Sequence, residues 1–72
     1  MTKIEFFNLL ESAINGRKGF IIKYTGVNTI RVYSVDDIFT ACFIGDVQDY
    51  CGSCFNGITV DCEGKPYMAF NF

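Results

Sequence analysis

Four cysteines, Cys42, Cys51, Cys54 and Cys62, lie within the single stretch CFIGDVQDYCGSCFNGITVDC of a 72-residue chain that contains no histidine. A chain this short buries little apolar surface against its conformational entropy, and small domains often add a staple. The step Cys51-Gly52-Ser53-Cys54 can turn tightly and aim two sulfurs at one ion. Cys42 and Cys62 flank that step at comparable separations. The four thiolates are therefore expected to close one structural zinc site, with Zn–S near ~2.3 Å. Three other readings use the same residues. Cys51 and Cys54 can act as a thiol–disulfide redox pair, although Phe55-Asn56-Gly57 after them signals a turn and not a helix. Two structural disulfides would need an oxidising compartment, and MTKIEFFNLLESAING does not resemble a secretory leader. Last, Cys42 and Cys62 can be small core residues while Cys51 and Cys54 stay free thiols.

The length allows one domain. Half of the residues are apolar and 17 % are aromatic, a globular composition. No apolar run approaches the ~18 residues that a membrane span needs. The expected compartment is a reducing bacterial cytoplasm, the expected state a monomer. Net charge is −2, unevenly spread. Lys3, Arg17, Lys18, Lys23 and Arg31 precede position 32, and no base follows until Lys65. The interval between holds Asp36, Asp37, Asp46, Asp49, Asp61 and Glu63. That half reads as electronegative, which disfavours nucleic acid and suits docking on a basic protein surface. These six acids are the candidate partner-binding residues.

Thr2-Lys3-Ile4-Glu5 is a capping box. Phe6, Phe7, Leu10, Ala13 and Ile14 follow on one helical face, with Gly16 as a stop and Arg17 and Lys18 suited to the negative end of the dipole. This predicts a helix over about 3–15. Its stripe is expected to pack on Phe20, Ile22, Ile30 and Val32. Residues 19–24 and 29–33 alternate as two strands of a hairpin around Thr25-Gly26-Val27-Asn28. Ser34 before Asp36 and Asp37 reads as the cap of a short helix over 35–42, with a strand through IFTACFI as the alternative. Gly45 to Gly57 reads as a cysteine-bearing loop, Asn56-Gly57 as a hairpin turn, and residues 58–62 and 67–72 as strands. No internal repeat is visible. The fold class is α+β: an N-terminal amphipathic helix on a small antiparallel sheet, with a short second helix and a Cys-rich loop.

Without histidine there is no Ser–His or Cys–His pair, and the chain has no glycine-rich phosphate loop. A four-thiolate zinc would have no open position for water, so it would be structural. These features favour a binding protein over an enzyme. In its small acidic domain, its Cys42/Cys51/Cys54/Cys62 cluster, its histidine-free composition and its acids from Asp36 to Glu63, the chain resembles the phage-encoded anti-CRISPR proteins that inhibit type II-A Cas9. The resemblance implies a non-enzymatic inhibitor with a stoichiometric protein partner. It would occupy a positively charged surface of Cas9, or lock its recognition lobe, and so block target DNA. A zinc-stapled adaptor domain and the redox protein remain the alternatives.

Overall fold

Helix α1 (Lys3–Ile14) starts where the capping box puts it. The Glu5 amide donates to the Thr2 hydroxyl at 3.2 Å, and the Thr2 amide donates to the Glu5 carboxylate at 3.0 Å. The helix ends as Asn15 turns left-handed at φ 50°, followed by Gly16 at φ 76°. Arg17 closes this end by donating to the Ala13 carbonyl at 2.9 Å. The chain, described over residues 1–72 by a computed structural model, then forms a hairpin of β1 (Phe20–Tyr24) and β2 (Thr29–Ser34).

The second helix departs from expectation. Residues 35–40 are not helical, and α2 runs from Ala41 to Cys51. Ser34 caps nothing: its hydroxyl bonds the Asp36 carboxylate, which also accepts the Ile38 amide at 3.1 Å. Asp37 is left-handed at φ 59°. Short polar side chains offer the backbone this local alternative to a helix, and here it prevails. Thr40 is the cap instead, its hydroxyl accepting the Phe43 amide at 3.2 Å. Most of the expected cysteine loop is therefore helix. Gly45 and the β-branched residues around it weaken the helical signal, and burial of Phe43, Val47 and Cys51 overrides that weakness.

Strand β3 (Phe55–Val60) also begins earlier than expected. Asn56-Gly57 makes no hairpin turn. It lies inside the strand, where the register against the last strand, β4 (Pro66–Asn71), shifts between Phe55 and Ile58 and Gly57 takes φ 101°. Cys62 falls outside the strand. The four strands form one antiparallel sheet in the order β1-β2-β4-β3. That order is unchanged when the two halves of the chain exchange places. Each half is a helix followed by a hairpin, and β2 pairs with β4 to join them. The helices run antiparallel on one side of the sheet: Arg17, past the end of α1, meets Asp46 of α2 at 2.8 Å, and Met1 meets Cys54 at 3.7 Å.

The core lies between the helices and the central strands. Phe6, Leu10 and Ala13 meet Phe43, Val47 and Cys51 over Ile30, Val32, Met68 and Phe70. The expected packing is partly revised. Phe6 stacks on Phe72 at 4.6 Å and meets Phe70 edge-on at 5.5 Å. Phe20 stacks on Phe43 of α2 at 4.4 Å. Phe7 and Ile14 are only half-buried, and Ile22 stays 37 % exposed because β1 is an edge the helices do not reach across.

Candidate functional site

The four cysteines do not meet. Cys42 is exposed in the first turn of α2, and Cys51 is buried in its last. The two are about two and a half turns apart, hence on opposite faces and more than ~10 Å apart along the axis. One tetrahedral ion needs its sulfurs each ~2.3 Å away, so no such ion can bridge that helix. Cys62 is exposed in the β3–β4 turn. No three Cys, Asp or Glu side chains are arranged to hold a metal ion. The four-thiolate site expected from spacing is thus not formed in this fold.

Cys51 and Cys54 instead belong to the core, 0 % and 4 % exposed. The Cys54 amide donates to the Cys51 carbonyl at 2.8 Å, which ends the helix. Burial, reinforced by neighbouring Cys54, pushes the Cys51 thiol up to about 11. A thiol so placed is protonated near neutral pH and a weak nucleophile, unlike the electropositive, exposed thiols of redox pairs. The division is the reverse of the free-thiol reading: Cys51 and Cys54 fill the core, while Cys42 and Cys62 face solvent.

The six acids are also dispersed. Asp46 pairs with Arg17 at 2.8 Å, and Asp37 lies 3.9 Å from Lys65. Asp36 is taken up by Ser34 and Ile38; the Ser34 hydroxyl foremost holds its carboxyl below the ordinary range. Asp61 builds the β3–β4 turn, accepting the Glu63 amide at 2.9 Å, the Lys65 amide at 3.0 Å and the Tyr33 hydroxyl at 3.0 Å. The Lys65 amide foremost lowers its carboxyl too. Asp49 and Glu63 are exposed without an ion pair. The acidic half of the sequence is not an acidic half of the molecule. Pairing β2 with β4 and α1 with α2 sets Arg31, Lys23 and Arg17 among those carboxylates.

What the fold does assemble is the helix-free side of the sheet. Side chains alternate along strands. With Ile30, Val32, Met68 and Phe70 turned inward, Ile21, Lys23, Arg31, Tyr33, Tyr67 and Ala69 share the opposite face. Tyr33 and Tyr67 are cross-strand partners with ring centroids 5.5 Å apart. The Arg31 guanidinium lies 4.3 Å over the Tyr67 ring, and the Lys23 ammonium 5.2 Å over Tyr33. Arg31 donates to the Tyr33 oxygen at 3.3 Å, and Tyr33 in turn donates to Asp61. One end of this face holds a shallow hollow of about 280 Å³, where Ile21, Lys23 and Tyr33 meet Asp37, Asp61, Glu63 and Lys65.

Four of the expected partner-binding acids, Asp36, Asp37, Asp61 and Glu63, thus fall at or beside one end of the sheet, whereas Asp46 and Asp49 lie on α2. Strand alternation alone turns Arg31 and Tyr33 away from the core. Their meeting with Tyr67 and Asp61 depends on the long-range pairing of β2 with β4, for which the sequence carries no local signal. Comparisons of the chain with protein-family models, with curated proteins and with solved structures return no match.

Proposed function

We propose that the protein is a non-enzymatic binding protein that docks on a protein partner through the helix-free face of its sheet. The observation that carries this reading is the fixed set Arg31–Tyr33–Tyr67–Asp61. Tyrosine and arginine are the residue types that concentrate binding energy at protein interfaces. Tyr33 is almost covered, 7 % exposed, so Arg31 and Tyr67 would make the contact above it; the set is already held together, so docking would order little that is not ordered beforehand. The acids at one end and Lys23 and Arg31 at the centre give the face a mixed pattern that would favour one orientation of a partner. The absence of histidine from the sequence also favours binding over acid–base or nucleophilic chemistry.

The partner to test first is Cas9, because the sequence resembles the type II-A anti-CRISPR inhibitors. In a DNA-cleavage assay, inhibition should titrate at about one inhibitor per Cas9, as a stoichiometric blocker requires. Loss of the paired side chains in Arg31→Ala/Tyr67→Ala should weaken binding by at least about tenfold, the scale of one interface anchor. Charge reversal of Asp46 and Asp49, on α2, should matter less. If the α2 reversal abolishes inhibition while the Arg31/Tyr67 variant retains it, the docking face is wrong. If no concentration inhibits Cas9, the partner is wrong. Retention of single-stranded nucleic acid by the same face, lost in the Arg31/Tyr67 variant, would replace a protein partner with a stacked strand.

A further inference from the structure

The two edges of the sheet differ. β3 is broken by its register shift and by Gly57, which leaves Ile58 to Val60 as its regular part. Such bulges keep an edge from pairing with another chain. β1 has no such device. It runs without irregularity from Phe20 to Tyr24 against β2, contains no proline, and carries Lys23 as its one charge. Ile21, Ile22 and Tyr24 are 46 %, 37 % and 54 % exposed.

The hydrogen bonding of β1 fixes which groups face outward. The Val35 amide donates to the Gly19 carbonyl at 2.8 Å, and the Thr25 amide to the Thr29 carbonyl at 3.1 Å. In an antiparallel ladder bonded pairs alternate. Ile21 and Lys23 therefore bond inward to Tyr33 and Arg31. Phe20, Ile22 and Tyr24 aim their amides and carbonyls at the open edge.

We infer that β1 pairs with β1 of a second copy of this chain about a two-fold axis at Ile22, extending the sheet across the dimer. The three outward residues are self-complementary in this register: Phe20 faces Tyr24 of the second copy, Ile22 faces Ile22, and Tyr24 faces Phe20. Each outward amide and carbonyl then finds a partner. On the helix side this sets an aromatic pair on each flank of an isoleucine pair, a favourable cross-strand arrangement. Tyr24 is already braced, with its ring 6.0 Å from Phe7 and beneath the Lys3 ammonium at 4.9 Å.

Charge selects the register. With the axis at Ile22, Lys23 lies opposite Ile21 of the second copy. Moving the axis one residue toward the hairpin turn sets Lys23 directly against Lys23, which like charges disfavour. Moving it the other way leaves Tyr24 unpaired. The contact is a short strand pair, so the dimer is weak and concentration-dependent. Both helix-free faces end on the same side, and the docking face of the preceding section stays open whether or not its partner is the one proposed.

Sedimentation equilibrium of the full chain up to about 1 mM tests this. The expected result is a monomer–dimer equilibrium, with no larger species. Ile22→Lys sets two ammonium groups opposite each other at the axis and should raise the dissociation constant by at least about tenfold, whereas Ile22→Val should not. Circular dichroism confirms that each variant is folded. Amide exchange gives a readout independent of mutation. Raising the chain concentration should protect Phe20, Ile22 and Tyr24, while Ile21 and Lys23 are protected at every concentration. A monomer across the range, concentration-independent exchange at those three amides, or open-ended polymer overturns the inference.

Discussion

The two helix–hairpin halves of the chain follow one plan and close it by different means. Each helix is capped by a threonine, Thr2 or Thr40, but only the first has the reciprocal glutamate. The first hairpin turn is closed by one backbone bond, from the Thr25 amide to the Thr29 carbonyl at 3.1 Å, and the second by two, from the Asp61 amide to the Lys65 carbonyl and from the Gly64 amide to the Asp61 carbonyl, each at 3.0 Å. The first turn is held further by a hydroxyl pair, Thr25 to Thr29 at 3.0 Å, the second by the Asp61 carboxylate. The first edge strand is regular and the second is bulged. The first half brings five of the six bases and two of the eight acids, the second one base and four acids, with Asp36 and Asp37 in the link between them. The difference teaches that the common plan resides in inward-facing apolar positions, while turns, edges and charges vary freely around it.

The largest expected effect removes an aromatic from the core that both halves share. Phe6→Ala in the first half and Phe43→Ala in the second should each cost about 3–5 kcal/mol in urea denaturation, a large part of a small domain's stability. Both rings are 0–1 % exposed. If one variant loses under about 1 kcal/mol, the halves do not share a core equally.

A smaller effect separates the two kinds of cysteine. Cys51→Ser puts a hydroxyl in an apolar site and should cost about 1–3 kcal/mol. Cys42→Ser and Cys62→Ser, on the surface, should stay within about 0.5 kcal/mol of wild type. Native mass spectrometry with and without chelator should give one and the same mass. A mass loss equal to one zinc on chelation, together with destabilisation by Cys42→Ser, would mean that the thiols converge in another conformation.

The smallest effect is confined to one turn. The carboxyls of Asp61 and Asp36 sit below their ordinary range because amides and hydroxyls donate to the ionised form. A depressed carboxyl stabilises the fold fully above the ordinary value of ~3.9 and ceases to do so as pH falls through its own, lower value. Acid should therefore lower the protection of the Glu63 and Lys65 amides, measured against their intrinsic exchange rates at each pH, before the turn at 25–29 responds, since that turn contains no titrating group. Simultaneous loosening of both turns would show that Asp61 is not what distinguishes them.

Local patterns made α1 legible: a capping box, an apolar stripe and a left-handed stop are all written within residues 2–16, and the structure agrees. The first hairpin and the α+β class followed from alternation. The second helix was hidden because Ser34, Asp36 and Asp37 carry helix-start residue types yet spend their side chains on a turn, while Gly45 weakens the true helix. Its position is decided by burying Phe43, Val47 and Cys51 against α1, which no local window contains. The cysteines show the same limit, since equal spacing in sequence says nothing about opposite faces of a helix. Residue types and periodicity determined which side chains seek the core. Only the pairing of β2 with β4 and of α1 with α2 decided which charges meet, where the thiols go, and that Arg31, Tyr33, Tyr67 and Asp61 share one face, because those contacts join residues far apart along the chain.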